Sequence, residues 1–332
     1  MGVLIELHEL SSLSRYRFQF KQSSCAMTET AFVRFLQWSS LYEKERPFQI
    51  FTELLPGSKD QRKTNLVWDE RQIEVKDFRA NAEQYQLDTH GFSTRHLPGF
   101  RDLMDKGTVL GKYLPAVQEM LQSQLQDVGT VFVYDWRVKT IRIGLTIWTV
   151  LTFIRNSRPE TTDEIINFSD QTQPLLPSNY AHIDAGPVSI FQRIQNSFPA
   201  SADKIIRQRI RAVNVWKPLC NPVEEWALAV CDGTTVKPED LVETDSVRQG
   251  SVSTNYYAKY APDQQWYYLK HQSPDEALIF KHFDSEPGIR APYALHASIR
   301  QDVPIGVKPR QSIEVRTLIF SEKFESEGET CV

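Results

Sequence analysis

The chain is poor in the features that would settle its function at a glance. It has only four cysteines in 332 residues, Cys25, Cys220, Cys231 and Cys331. That is too few for a disulfide framework, and no pair has zinc-ligand spacing. Reduced thiols in a cytoplasmic protein are the simplest expectation. No basic excess exists either: 38 Lys+Arg stand against 42 Asp+Glu, a formal net charge of −4. Binding a nucleic-acid backbone needs a local surplus of positive charge, so nucleic acid is not an expected partner. The longest uncharged apolar run, Ile143 to Ile154, is twelve residues, and a membrane-spanning helix needs about twenty. Glu6 interrupts the N-terminus before a secretory core could form. A methyltransferase would need a G-x-G loop after an early strand and a hydrolase a G-x-S-x-G elbow, and neither occurs. There is no internal repeat and no low-complexity tract.

What is present is mostly β-pattern. Short runs rich in Val, Ile and aromatics recur at Val131–Tyr134, Ala212–Trp216, Trp226–Val230, Tyr256–Tyr260, Trp266–Leu269, Ala277–Phe283 and Ile313–Phe320. Turn residues such as Asn221-Pro222, Asp232-Gly233 and Glu286-Pro287-Gly288 separate many of them. This punctuation predicts a mainly β fold with flanking helices, a double-stranded β-helix or jelly roll. The Thr-, Ile- and Val-rich run Ile143–Ile154 fits one more buried strand. Leu114 to Leu125 is the best helix, with Pro115 near its start and Val117, Met120, Leu121 and Leu125 in one stripe. Helices are also expected over Thr28 to Tyr42, from Phe32, Phe35, Leu36 and Leu41, and over Ala202 to Arg211. The expected organisation is an extension at 1–28, an α/β layer at 29–129, a catalytic jelly roll at 130–322 and an acidic tail at 323–332. The extension has two readings, a dimer arm or a disordered tail, so a homodimer stays open. The basic cluster Lys204, Arg207, Arg209, Arg211 and Lys217 reads as a solvated helix face.

The chemistry enters through histidine. Two of the seven histidines open an H-x-D triplet, His182-Ile183-Asp184 and His282-Phe283-Asp284. On a strand, residues i and i+2 share a face, so each triplet can offer an imidazole and a carboxylate to one ion. Two histidines and one carboxylate on one face of a metal suit non-haem Fe(II) and oxygen chemistry. His296 lies 112 residues beyond Asp184, far enough to come from another strand. Fourteen residues further on, Arg310-Gln311-Ser312 can point a guanidinium and a hydroxyl at one carboxylate, the expected acid being 2-oxoglutarate. The second triplet is weaker: Asp284 is only twelve residues from His296, across a hairpin-like turn, and no histidine follows. His182 bonded to a backbone carbonyl, Asp184 capping a turn and a surface Arg310 are the plain alternatives.

Longer strings in the second half narrow the choice. Arg211-Ala212-Val213-Asn214-Val215-Trp216-Lys217-Pro218-Leu219, Leu228-Ala229-Val230-Cys231-Asp232, Trp266-Tyr267-Tyr268, Pro274 to Lys281 and Arg310 to Arg316 recur in order, with Leu87-Asp88-Thr89-His90-Gly91-Phe92 upstream. Over roughly residues 30–322 the chain resembles a largely fungal hydroxylase/desaturase family. That family includes gibberellin desaturase and relatives of a cephamycin biosynthesis protein. The resemblance implies an enzyme of secondary metabolism that uses Fe(II), 2-oxoglutarate and O2. It implies iron ligation by His182, Asp184 and His296, and a 2-oxoglutarate carboxylate held by Arg310 and Ser312 with Arg316 in reserve. Asn214 and Trp216 would line the pocket. The implied reaction abstracts a hydrogen atom from a small-molecule substrate, ending in hydroxylation, desaturation or ring closure. The stretch from Thr140 to Ile154 departs from the family pattern, being longer and more apolar. A metal-independent jelly-roll binding protein and a non-oxidative enzyme on the same scaffold remain the competing expectations.

Overall fold

The structure is a computed structural model, which describes residues 28–54, 56–101, 105–140, 176–248, 250–302 and 306–324. The strand expected over 143–154 lies outside the described residues, as do most of the extension and of the acidic tail.

Among the described residues, fourteen strands form two sheets. They are β1 Thr28–Leu36, β2 Phe48–Ile50, β3 Trp68–Asp77, β4 Phe92–His96, β5 Thr130–Thr140, β6 His182–Ile183, β7 Ile210–Pro218, β8 Ala227–Cys231, β9 Leu241–Arg248, β10 Ser251–Ala258, β11 Trp266–Tyr268, β12 Glu276–Asp284, β13 His296–Ile299 and β14 Gln311–Phe320. The larger sheet runs β1-β3-β11-β8-β13-β6-β10-β9-β2 and the smaller β4-β12-β7-β14-β5. They face one another as the two walls of a jelly roll. Helices α1 Leu87–His90, α2 Lys106–Thr108, α3 Leu114–Gln124, α4 Pro187–Ser197 and α5 Ala202–Ile205 flank them.

The smaller sheet is covered on both faces, which explains its near-continuous apolar wording. On β7 every residue from Ile210 to Pro218 is buried. Its Val213 and Val215 pack outward with Ile313, Val315 and the α3 stripe Val117, Met120 and Leu121. Trp216 packs inward with Leu278, Phe280 and the β6 and β8 residues of the larger sheet. Asn214 shares that inward face by strand alternation. One strand therefore carries a core on one side and the cleft wall on the other.

Two local expectations are corrected. Thr28–Leu36 is a strand, not the start of a helix. Ala31, Val33 and Phe35 are buried in alternation, and nine residues pair antiparallel with β3, from Thr28 opposite Lys76 to Leu36 opposite Trp68. The β-branched and aromatic content suits that pleated surface better than a helix. The helix expected over Ala202–Arg211 stops at Ile205, because Ile210 already opens the central strand β7. A longer helix, α4, stands earlier instead, started by Pro187 and buried through Ile190 and Ile194. In the segment 29–129, β1, β2 and β3 join the larger sheet and β4 is an edge of the smaller.

Candidate metal and cosubstrate site

Two neighbouring strands of the larger sheet bring the histidines together. β6 and β13 run antiparallel with His182 directly opposite His296, so both imidazoles leave the same face toward the smaller sheet. Their ring centroids are 4.0 Å apart. Asp184 follows β6 directly and returns its carboxylate to the same spot. Its Oδ1 lies 3.4 Å from His182 Nε2 and 3.9 Å from His296 Nε2. One ligand atom each from His182, Asp184 and His296 can be chosen with all three within 4.8 Å of one another. This is a set that could hold one metal ion.

The hydrogen bonding fits that use. His182 Nδ1 meets the Tyr180 carbonyl at 2.7 Å, and a carbonyl only accepts, so the proton sits on Nδ1 and the Nε2 lone pair faces the cluster. Both ring nitrogens of buried His296 have no hydrogen-bond partner, an arrangement that costs free energy unless something else meets them. Burial, then the neighbouring His182, holds His296 well below the ordinary imidazole pKa, which keeps it neutral as a metal ligand must be. For Asp184 burial alone would raise the pKa; Arg316 above all, then His182, outweigh it and hold the carboxylate well below its usual range.

Arg316 is where the structure parts from the sequence-based expectation of a reserve anchor for 2-oxoglutarate. Its Nη2 lies 3.0 Å from Asp184 Oδ2 and 3.2 Å from Glu314 Oε1, and its Nη1 3.1 Å from Asp135 Oδ2. Three carboxylates already occupy the guanidinium, and Asp184 is one of them. Glu314 is fully buried and also pairs with Lys139 at 2.7 Å. Asn214, expected as a pocket residue, donates Nδ2 to Asp184 Oδ2 at 2.9 Å.

Arg310 sits six residues away, immediately before β14 begins at Gln311. It is 4% exposed, and its Nη1 bonds the Trp226 carbonyl and reaches Ser298 Oγ at 3.3 Å. The guanidinium lies over Trp216, 5.4 Å from the ring centroid, and its Nε has no hydrogen-bond partner. Burial pulls its pKa down to about 10, leaving it cationic at neutral pH. Ser312 is buried on the same side but its hydroxyl bonds the Lys139 carbonyl at 3.4 Å. Ser298 stands two residues beyond His296 on β13, a spacing that could have revealed it.

The second triplet comes apart. Asp284 is taken by Lys281 at 2.6 Å and Arg209 at 2.8 Å, and it caps Glu286 N–H. Its partner in sequence, His282, lies instead beside Asp184, with Nε2 3.9 Å from Oδ2. The expected solvated basic face divides: Lys204 and Arg207 are exposed, whereas Lys217 and Arg211 are buried, and Lys217 donates to the carbonyls of Leu97 and Gly99.

Known proteins carry the same plan. The chain is 28% identical over 269 residues to the Fe(II)/2-oxoglutarate-dependent dioxygenase nvfI of Aspergillus novofumigatus, covering 78% of this chain and 87% of that one. It is 27% identical over 275 residues to the hydroxylase/desaturase CTB9 of Cercospora beticola, covering 78% and 79%. A solved structure of a variant of the iron and alpha-ketoglutarate-dependent endoperoxidase NvfI superimposes with a TM-score of 0.73 at 25% identity, covering 88% of this chain and 97% of that one. A family model described as an oxidoreductase/YMDC permease-like domain matches residues 33–320. The chain belongs to this family, and the similar proteins named here are an Fe(II)/2-oxoglutarate-dependent dioxygenase, a hydroxylase/desaturase and an iron- and alpha-ketoglutarate-dependent endoperoxidase. Among the described residues no helix is long and apolar enough to cross a membrane. The residues discussed above as ligands or anchor, from His182 to Arg316, all fall inside the matched span.

Proposed function

We propose that this oxygenase holds Fe(II) with His182, Asp184 and His296 and 2-oxoglutarate with Arg310, and that it hydroxylates, desaturates or cyclises a small-molecule intermediate of fungal secondary metabolism. The observation that carries the proposal is the pairing of two features. Three ligand atoms converge on one point, and a buried guanidinium with an unpartnered nitrogen stands just before β14 of the facing sheet. Two imidazoles and one carboxylate leave coordination positions open, and a bound Fe(II) with 2-oxoglutarate and O2 supplies hydrogen-atom abstraction from a C–H bond.

The residues do the rest. His182, fixed by Tyr180, presents Nε2. Asp184 presents Oδ1, while Arg316 and Asn214 hold Oδ2. Arg310 offers a charge-assisted pair to the far carboxylate of the cosubstrate, assisted by Ser298 and seated on Trp216. Buried Trp216 and Phe280 wall the cleft and keep water from it. The exposed free thiol of Cys220 and the buried one of Cys231 suit a reducing compartment, and we place the protein in the cytoplasm.

The test is anaerobic mixing of the protein with Fe(II) and 2-oxoglutarate, followed by turnover against a metabolite panel. A visible absorption band from the chelated keto acid, and succinate formed in a substrate-dependent way, are expected. A metal-replete sample with neither band nor succinate would mean a binding protein on a jelly-roll scaffold.

A further inference from the structure

His282 lies against the metal site without joining its cluster. It stands where β12 slips register on β7: Lys281 faces Val213 and Phe283 faces Ala212, so His282 has no residue opposite. A bulge of this kind bends the strand and re-aims a side chain, and bulges gather beside active sites. Here the imidazole enters the space between the sheets. Its ring centroid is 5.3 Å from His296 at an interplanar angle of 78°, and 5.3 Å from Phe280.

Its two nitrogens have different fates. Nδ1 accepts the backbone N–H of Asp184 at 3.2 Å. A backbone N–H can only meet a ring nitrogen that carries a lone pair. In this buried, neutral ring the proton is therefore on Nε2. A protonated Nε2 has no lone pair to offer a metal. That atom is buried, has no hydrogen-bond partner, and lies 3.9 Å from Asp184 Oδ2.

We propose that His282 is a positioning residue for Asp184 and not a fourth ligand. Its Nδ1 holds the Asp184 backbone, and its Nε2–H is aimed at Oδ2, the oxygen turned away from His182 and His296. Arg316 and Asn214 meet the same oxygen at 3.0 and 2.9 Å. Three side chains so face Oδ2, and Oδ1 is left to the metal. At 3.9 Å the His282 contact is longer than a hydrogen bond, and the proposal is that it closes when Asp184 takes up a metal. This deepens the reading of His182, Asp184 and His296 as a metal site and rests on it.

Nitrogen-15 NMR of histidine-labelled protein tests it directly, in the metal-free form and after Zn(II) loading. His282 is expected to show a protonated Nε2 and an unprotonated Nδ1 in both forms, while His182 and His296 shift with Zn(II). A proton on Nδ1 of His282, or metal-dependent deprotonation of Nε2, overturns the proposal and makes His282 a ligand. If Zn(II) moves neither His182 nor His296, the metal-site reading itself fails, and this proposal with it. Two variants separate the nitrogens. His282→Asn keeps an acceptor near Nδ1 and loses the distal donor, and its Fe(II) dissociation constant should rise about tenfold, the lower end for residues that orient metal ligands. His282→Gln places an amide N–H near Nε2 and should recover part of that loss. An unchanged constant in His282→Asn, in protein shown to be folded by its thermal transition, also overturns the proposal.

Discussion

Arg316 on the smaller sheet reaches Asp184 on the larger one, with Nη2 and Oδ2 3.0 Å apart. The ion pair clamps the two walls of the jelly roll together at the point where His182, Asp184 and His296 meet. Replacing Arg316 by Met strands a largely buried carboxylate. Loss of one partner in a buried pair costs about 3–5 kcal/mol. The metal-free variant should unfold at correspondingly lower urea. Added Zn(II) should stabilise the variant more than the wild type, because the cation replaces the missing charge. Equal stability of the two metal-free proteins would show that Asn214 and solvent alone satisfy Asp184.

The ligand set makes a sharper demand. His182→Ala, Asp184→Ala and His296→Ala should each weaken Fe(II) binding by more than about a hundredfold, beyond the range for residues that only orient ligands. Asp284→Asn, in a carboxylate held by Lys281 and Arg209, should leave the affinity of the folded protein unchanged. Equilibrium dialysis reads both, and the reverse pattern would mean that the second triplet binds the metal.

Arg310 should govern the cosubstrate alone. Truncating one partner of a buried charge pair costs roughly 2–5 kcal/mol. Arg310→Ala should thus raise the 2-oxoglutarate dissociation constant more than tenfold, each 1.4 kcal/mol being about a factor of ten. Fe(II) binding should survive. Arg310→Lys should recover only part, since an ammonium cannot make the two-pronged contact. Calorimetric titration of 2-oxoglutarate into metal-loaded protein decides. If Arg310→Ala binds as the wild type does, the anchor lies elsewhere.

Lys217 gives a pH dependence. Its ammonium is fully buried, and burial pulls its pKa down to about 8 from 10.5. Between those values the unfolded chain binds more protons than the folded one, so this group's contribution to stability rises with pH. From pH 8 to pH 10 the gain is about 2 kcal/mol at 1.36 kcal/mol per unit of displacement. The unfolding free energy of wild type relative to Lys217→Met should shift by that amount in favour of wild type over the interval. A difference that stays flat with pH would show that Lys217 keeps an ordinary pKa.

Much of this was legible locally. The alternation in Ala212–Trp216, Ala277–Phe283 and Ile313–Phe320 reports strands because a half-buried or fully buried pleat selects such residues within a few positions. The H-x-D spacing of His182 and Asp184, and the distances to His296 and Arg310, could be matched to one ion and one anion because chain separation large enough for a second strand is itself visible. Thr28–Leu36 misleads for the same reason that it is short: its apolar residues fit two periods, and only nine pairings with β3 choose between them.

What only the tertiary structure decided is which side chain meets which across the sheets. Arg316 looks equivalent to Arg310 in the sequence, since an even spacing would put both on one face of an extended segment. The facing wall separates them, offering Asp184 to one and Ser298 with the Trp226 carbonyl to the other. His282 reads as an ordinary strand residue until the slipped register on β7 turns it toward Asp184. Side-chain period and propensity are properties of a few consecutive residues. Register, bulges and cross-sheet ion pairs are set by segments far apart in the chain, whose mutual burial no local window contains.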